Sequence, residues 1–486
     1  MAIVTAFSII ERLLGFIYRI FLSRTLGSEG LGIYQVSLSV VGLIMTLTAS
    51  GIPITVSRIM TKHTAENKQN LNFSTVTAGI LMSLIISVPI VLILLIFPSL
   101  FGFLFADNRS YILLKIMLPG VIITSVYSVI RGYFWGEKRF FTYSIIELLE
   151  ETVMLVTGIL FVYNQTSLKG GIVGAANAVL TSYLFSFVTA FILYFAQGGK
   201  IKSPKKELVP LISASSPITV MRTSASLINT LIAIILPLRL VLNGMSKSLA
   251  ISAFGELSGM SIPLIYIPST LIGSIALVLV PELSNNYYRN SNISLKNNIE
   301  KAVKCSVFIS CMIIPTFLCL GKEIGVLLYN NFNAGIYVQR ASIIMLPMSI
   351  TLITTSILNS LNLEKKTLLY YMIGAFFLVV SIYFLPKYIG VYSLILGLLV
   401  SYLITAICNL TLINKTCKHK PKYTLFIIVS TLFIIPTTLF GYLLKGILAL
   451  FVPSIIVILI CSISMVIFIY LLFKVFGIFD LKNALI

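Results

Sequence analysis

A succession of apolar runs, each long enough to cross a membrane, occupies almost the whole chain. A membrane-spanning helix needs ~20 apolar residues, and helices satisfy their backbone hydrogen bonds without water. With 58% hydrophobic and 10% charged residues, the chain is far more apolar than a soluble protein. We therefore predict an all-α polytopic membrane protein. About fourteen runs of spanning length lie near 3–25, 33–57, 73–100, 111–131, 143–163, 171–196, 211–240, 254–281, 300–320, 337–360, 368–386, 390–413, 423–443 and 449–473.

Lysines and arginines concentrate in every second connection between these runs. The chain carries 35 Lys+Arg against 15 Asp+Glu. Cytoplasmic loops are enriched in Lys and Arg, so the alternation predicts an even number of spans with both termini in the cytoplasm. The basic stretch 198–207 then serves as an orientation signal and linker, and we expect no nucleic-acid partner. The basic connections are 58–72, 131–139, 200–209, 289–304, 361–367, 414–422 and the tail.

Short motifs and prolines recur in the same order in the two halves of the chain. The sequence "IMLP" occurs at 116–119 and again at 344–347, and Pro53 precedes Pro281 by the same offset. This pattern predicts two parallel-repeat lobes of about six helices each around a central cavity, an arrangement that commonly rocks about a midplane site. The predicted organisation is an N-lobe at 1–196, a cytoplasmic linker at 197–209, a C-lobe at 210–413, and two further helices with a tail at 414–486.

The sequence lacks the residue patterns that metal sites, ATPases and membrane glycosyltransferases require. His63 and His419 lie in polar connections, and the six cysteines form no CxxC, so we expect neither a metal site nor a cofactor. No GxxxxGK[ST] loop occurs, which argues against an ATPase. Asp107 and Asp480 are the only aspartates, and the connections are short. A membrane glycosyltransferase would need a catalytic cluster in a sizeable loop, so we expect no enzyme.

The first span nevertheless carries charges. On a helix, its polar residues fall within an arc of about 80°, with Glu11 at the edge. Ionisable groups within a span almost always face the bundle interior or a water-filled cavity, so we expect these side chains to point inward. The stripe consists of Ser8, Arg12, Gly15, Arg19 and Ser23.

Spans 7 and 5 add further polar groups. Span 7 has its own stripe around Arg222, and span 5 contributes Glu147, Glu150 and Glu151. Two interpretations remain open. The charges either form internal ion pairs that fix helix packing, or the surplus arginines Arg12, Arg19 and Arg222 bind an anion. Guanidinium groups suit phosphate because they offer planar, bidentate donors, and a diphosphate-linked lipid would fit.

The glutamates allow two roles. Glu11, Glu147, Glu150 and Glu151 are either counter-ions of Arg12 and its neighbours or groups that couple transport to a proton or cation. The counter-ion role is favoured, because nearby arginines hold a carboxylate ionised.

Five stretches of the chain resemble the stage V sporulation protein B family. That family belongs to the multidrug/oligosaccharidyl-lipid/polysaccharide exporter superfamily, in its MurJ-like lipid II flippase branch. The resemblance runs through nearly the whole chain, and the block at 254–284 is the most specific. The stretches are "ERLLGFIYRIFLSRTLGSEGLGIYQ" (11–35), "GIPITVSRIM" (51–60), "IRGYFWGEKR" (130–139), "SSPITVMRT" (215–223) and "FGELSGMSIPLIYIPSTLIGSIALVLVPELS" (254–284).

The resemblance implies a fourteen-helix flippase fold in the cell membrane. The implied substrate is undecaprenyl-diphosphate-linked peptidoglycan precursor, lipid II, moved outward for the spore cortex, with membrane lipids and cell-wall synthesis proteins as candidate partners. Arg12 matches the first-span arginine of the related flippases, and Arg222 matches the span 7 arginine of the sporulation family. Arg19 is displaced by one residue from its counterpart, which turns it about 100° around the helix.

Two other functions remain open. A cation-coupled multidrug antiporter of the same superfamily would be expected to show acids outnumbering bases in its cavity, whereas the first span has Glu11 against three arginines. An interaction scaffold of the sporulation envelope would not explain paired internal stripes. The flippase is therefore the favoured hypothesis.

Overall fold

The computed structural model describes residues 2–97, 102, 105–204, 207–289, 291–417 and 421–477. The regular structure in these ranges is helical, and they contain no strand. Twelve segments of the described residues are long and apolar enough to span a membrane. The prediction of an all-α polytopic membrane protein is therefore confirmed. His419 and Asp480 lie outside the described residues, as does the side chain of Pro281.

The number of spans is close to the predicted one. One of the twelve segments, Ala6–Ala65, is 60 residues long and is interrupted at Gly27, where φ is 68°. At 1.5 Å per residue that length greatly exceeds a ~30 Å hydrocarbon core, so the segment is long enough to cross twice. The helix Phe140–Tyr163, which carries three glutamates, is not among the twelve. The count of fourteen remains a prediction.

The contacts divide the chain into two compact units, Met1–Gly255 and Glu256–Ile486. The described residues of the first unit form eight α-helices, together with a short 3-10 turn at Gln69–Leu71. The helices are α1 (Ala2–Ala49), α2 (Ile52–Ala65), α3 (Asn72–Ile96), α4 (Asn108–Gly136), α5 (Phe140–Tyr163), α6 (Leu168–Ala196), α7 (Leu208–Leu242) and α8 (Lys247–Phe254).

Small residues set the helix packing of the first unit. The helical path breaks between α1 and α2, and Pro53 occupies the first turn of α2, where a missing N–H is tolerated. A Cβ added to Gly51 at this break would collide with Thr219 of α7, and one added to Gly132 of α4 would lie 2.7 Å from the carbonyl oxygen of Pro53. Membrane helices approach this closely where side chains are small, so α2, α4 and α7 are held together at the break.

The predicted linker 197–209 is bound to the first unit. The backbone N–H of Lys202 donates to Thr77 Oγ1 of α3 at 3.1 Å, and Glu207 Oε2 lies 3.6 Å from Nε2 of His63 near the end of α2. The following helix α7 packs against α1, α2 and α3. The compact units thus divide at Gly255, whereas the sequence repeat divides the chain at the linker. The two-lobe organisation remains a prediction.

The second unit begins in a π-helical segment, Gly255–Ser261, whose first residue closes the first unit. A 3-10 turn at Ser342–Ile344 joins two of its helices. The α-helices of its described residues are α9 (Ile262–Ile265), α10 (Ile267–Tyr288), α11 (Asn292–Tyr329), α12 (Phe332–Ala341), α13 (Met345–Ser360), α14 (Glu364–Phe384), α15 (Pro386–Ile389), α16 (Tyr392–Thr416), α17 (Thr424–Leu448) and α18 (Ser454–Val475).

The long helix α11 forms the centre of the second unit. Its buried residues Val303, Val307 and Phe308 belong to an apolar cluster that also includes Phe433 and Phe473 of the last two helices. The rings of Phe308 and Phe473 lie 5.0 Å apart in an edge-to-face arrangement, which stabilises aromatic pairs. The last two helices are therefore packed onto the unit.

Candidate functional site

The three glutamates of span 5 lie on two successive turns of α5. Glu147 Oε1 accepts a hydrogen bond from Arg131 Nη1 at 3.3 Å, and both side chains are mostly buried, at 21% and 25% exposure. The guanidinium carbon of Arg131 also lies 5.2 Å from the ring centroid of Trp135, which allows a cation–π interaction. Arg131 thus joins the end of α4 to α5.

Arg131 is a site residue that the sequence analysis missed. It was counted among the basic residues of the connection 131–139, but α4 continues to Gly136. The apolar runs underestimate the helix here, because charged residues near a helix end lower the local hydrophobicity without ending the helix. The stretch "IRGYFWG" contains no proline that would break a helix. This absence was the sequence signal that α4 continues through Arg131.

The first helix brings another carboxylate to the same place. Glu11 of α1 interacts electrostatically with Glu147, Arg12 and Arg131, and Glu151 interacts with Glu11 and Glu147. A Cβ added to Gly15 would lie 3.7 Å from Glu151 Oε2. The structure therefore brings Glu11, Glu147 and Glu151 together where α1 faces α5.

Hydroxyl groups surround this cluster. Glu147 accepts a hydrogen bond from Tyr143, and the Ser186 side chain interacts with Glu150. The ring of Tyr18, only 3% exposed, packs against Gly158 of α5. Within the described part of the chain, the Tyr18 hydroxyl, the Tyr127 hydroxyl and Glu151 Oε2 have no hydrogen-bond partner. A buried polar atom in this state is costly unless water or an ion satisfies it.

Two of the three candidate arginines are more accessible than the glutamates. The side chains of Arg12 and Arg222 are exposed, and Arg19 is half-buried and interacts with the Tyr34 hydroxyl. Arg222 Nη1 lies 3.4 Å from the carbonyl oxygen of Ser50 at the end of α1. A cation is favoured at a helix C-terminus, where carbonyl groups lack intrahelical partners. Arg222 is therefore held at the break between α1 and α2.

The geometry separates the predicted residues into two sets. The acidic set is Glu11, Glu147, Glu150 and Glu151, with Arg131 as the observed ion-pair partner of Glu147. Arg12 interacts with the edge of this set through Glu11. Arg222 lies apart from it, at the end of α1. In the part of the chain that the structure describes, no group of three or more His, Cys, Asp or Glu side chains is arranged to hold a metal ion.

The helical architecture is that of known membrane transporters. The solved structure entitled "Lipid II flippase MurJ, inward closed conformation" matches with a TM-score of 0.76 and 13% identity, covering 98% of both chains. "Inward-facing conformation of a multidrug resistance MATE family transporter of the MOP superfamily" matches with a TM-score of 0.68 and 15% identity, covering 88% of this chain and 95% of that one. The chain therefore has the fold that these two membrane transporters share.

The family follows from the sequence. The model for "Polysaccharide biosynthesis protein" matches residues 1–287, and the chain belongs to that family. "Stage V sporulation protein B" of Bacillus subtilis (strain 168) is 24% identical over 387 residues, which are 77% of this chain and 74% of that protein. The resemblance to the stage V sporulation protein B family is thus confirmed.

Proposed function

We propose that the protein is a flippase that carries an undecaprenyl-diphosphate-linked oligosaccharide across the cytoplasmic membrane by alternating access. Its family and its flippase-like fold support this class of transporter. Lipid II for the spore cortex is the substrate we favour, because a stage V sporulation protein is among its relatives. The proposed location is the cell membrane, with both termini in the cytoplasm and cell-wall synthesis enzymes as partners.

The observation that carries the proposal is the difference in exposure between the two charged sets. Arg12 and Arg222 are exposed, whereas the glutamates of α5 are half-buried. A ligand would therefore meet the cations first. Guanidinium groups bind phosphate oxygens through two parallel hydrogen bonds, and a diphosphate offers enough oxygens for more than one arginine. Arg12, Arg19 and Arg222 are the proposed substrate-binding residues.

The glutamates are assigned different roles. We propose that Glu147 is structural, because it neutralises Arg131 and joins α4 to α5. Glu151 is the better coupling candidate, since its Oε2 atom is buried without a partner in the described structure. A proton or a monovalent cation would supply the missing interaction. Glu11 and Glu150 are close enough to influence the charge of Glu151.

The alternative is a cation-coupled multidrug antiporter. The cluster of glutamates around Glu151 favours it, as does the fold shared with a multidrug transporter. The exposed arginines oppose it, because a cationic drug would meet like charge at Arg12 and Arg222.

Native mass spectrometry of gently extracted protein separates the two functions. A flippase should retain an isoprenoid diphosphate, and the Arg12→Ala/Arg222→Ala variant should lose it. The purified protein in liposomes should then move fluorescent lipid II between leaflets. Transport of a cationic dye driven by a proton gradient, with no lipid movement, would establish the antiporter instead.

A further inference from the structure

Arg340 is a charged residue inside a span of the second unit. It lies on α12, within the segment Phe332–Ser360, which is long and apolar enough to cross a membrane. The residue is exposed, and it lies about 12 Å along the helix from Phe332. A charge at such a position faces water or reaches the headgroup region, because contact with lipid tails is costly. Arg340 therefore needs a polar environment that the apolar sequence around it does not supply.

Two tyrosines orient the guanidinium group of Arg340. Its central carbon lies 4.4 Å from the ring centroid of Tyr392, the first residue of α16. Tyr337, one turn before Arg340 on α12, packs edge-to-face against Tyr392 with the ring centroids 5.4 Å apart. A guanidinium group that lies over an aromatic ring keeps the N–H groups at its edge available for hydrogen bonds. Arg340 is thus positioned before a ligand arrives.

The turn before α16 places Tyr392 at this point. Gly390, with φ of 58°, ends the short helix α15, and α16 begins two residues later. A positive φ favours glycine, because other residues are strained there. The 25-residue helix α16 therefore begins beside Arg340, and the N-terminal end of a helix carries a partial positive charge. This charge adds to the attraction that Arg340 exerts on an anion.

The acidic residue of this region is bound to other groups. Glu256, which interacts electrostatically with Tyr337, is only 8% exposed. Its Oε1 atom accepts a hydrogen bond from Asn331 Nδ2 at 3.0 Å, and Asn333 also donates to it. Among the residues that the structure describes, Arg340 has contact with Tyr392 but no ion-pair or hydrogen-bond partner. A positioned cation of this kind is suited to an anion from outside the protein.

We propose that Arg340, positioned by Tyr337 and Tyr392, binds the phosphate group of a lipid where α12 and α16 begin. A guanidinium edge binds phosphate oxygens through two parallel hydrogen bonds, and tyrosine rings are favoured at the membrane interface, where lipid phosphates lie. Two lipids offer this group: a phospholipid of the membrane and the diphosphate lipid proposed as cargo. Only the second source rests on the proposed function.

The test measures lipid binding to the purified full-length protein by native mass spectrometry. Phosphatidylglycerol and undecaprenyl diphosphate are titrated separately, in the Arg12→Ala/Arg222→Ala background, so that these two arginines of the first unit do not contribute. Arg340→Gln should weaken the binding of at least one of them about tenfold, since charge-assisted hydrogen bonds are lost. Diacylglycerol and undecaprenol, which lack phosphate, should bind equally with and without Arg340→Gln.

Lys322→Gln is the matched control. It also removes an exposed cation of the second unit that lies over an aromatic ring, with Nζ 5.6 Å from the ring centroid of Phe332. It should leave binding of both lipids unchanged. Equal effects of Lys322→Gln and Arg340→Gln, or no effect of Arg340→Gln on either lipid, would overturn the site. Thermal unfolding without added lipid should be the same in the two variants, because both residues are exposed.

The response of each lipid identifies the source of the phosphate. Weaker binding of phosphatidylglycerol assigns the site to membrane lipid, and this result stands even if the protein moves no lipid II. Weaker binding of undecaprenyl diphosphate alone assigns it to the proposed cargo. Arg340→Lys keeps the charge but lacks the planar pair of donors, so it should restore only part of the binding. Full binding by Arg340→Lys would contradict bidentate recognition of the phosphate.

Discussion

Arg131 Nη1 lies 3.3 Å from Glu147 Oε1, and this pair connects α4 to α5. The two side chains are 25% and 21% exposed, so water screens the pair only in part. Glu150 and Glu151 follow on the next turn of α5. The pair therefore lies beside the remaining acidic groups of α5.

Removing one partner of this pair should destabilise the protein. We expect Arg131→Ala to lower the free energy of unfolding by about 2 kcal/mol, because Glu147 is left half-buried and unpaired. Thermal unfolding of the purified protein in detergent measures this. Lys62→Ala is the control, since its partner Glu66 is exposed and such pairs contribute ~0.5 kcal/mol or less. Equal effects in the two variants would show that the Arg131 pair has no special structural role.

Replacing the exposed arginines should abolish transport without loss of protein. Arg12→Ala and Arg222→Ala each remove a cation proposed to hold the diphosphate, and both side chains are already exposed. We expect normal amounts in the membrane and no complementation of a flippase-deficient strain. Arg58→Ala, which removes another exposed arginine of the first unit, should complement. Complementation by both test variants would favour the ion-pair interpretation of the stripe.

Glu151→Gln should separate coupling from folding. Glutamine keeps the size of the side chain but cannot take up and release a proton. We expect a stable variant whose lipid movement in liposomes no longer responds to an imposed proton gradient. Glu147→Gln should lose stability instead, because it leaves Arg131 unpaired. A full gradient response in Glu151→Gln would return all four acidic residues to the counter-ion role.

Topology can be tested with single introduced cysteines. The charge pattern predicts that Lys202→Cys and Lys365→Cys lie in the cytoplasm. They should resist an impermeant maleimide added to intact cells and should react after permeabilisation. Lys169→Cys, in the opposite set of connections, should react without permeabilisation. Labelling of positions 202 and 365 from outside would refute the predicted orientation.

Acid should weaken the start of α4. Burial alone would raise the pKa of Asp107, but the side-chain and backbone hydrogen bonds from Arg109 prevail and hold its pKa below the usual range. A depressed pKa in the folded state means that Asp107 stabilises the fold above its unfolded pKa of about 3.9, and that this contribution disappears as the pH falls through the folded value. The stability difference between wild type and Asp107→Asn should be constant from neutral pH to about pH 5 and should vanish in stronger acid. A difference that grows on acidification would contradict this assignment.

The sequence predicted the positions of the helices better than the contacts between them. Spans follow from apolar length, and the polar stripe of α1 follows from helical periodicity, because both are local properties of the chain. The contact between Arg131 and Glu147 depends on how α4 and α5 are packed, and no local pattern specifies it. The same is true of Arg222, whose polar stripe was recognised but whose position beside the Ser50 carbonyl depends on the break at Gly51. A Cβ added to Gly32 would collide with the carbonyl oxygen of Ile251. Sequence reasoning could not find this contact, since a glycine is informative only when its neighbour is known.

The π-helical segment Gly255–Ser261 holds one residue more per turn than an α-helix would. Ser261 Oγ lies 2.7 Å from the carbonyl oxygen of Glu256, so a side chain already supplies a donor where the α-helical pattern is interrupted. Rewinding this segment as an α-helix would change the register of the helix by one residue. The helical residues next to the segment would then turn by about 100° and shift by about 1.5 Å along the local helix axis. The segment can therefore take up a one-residue change of helix register within a single span.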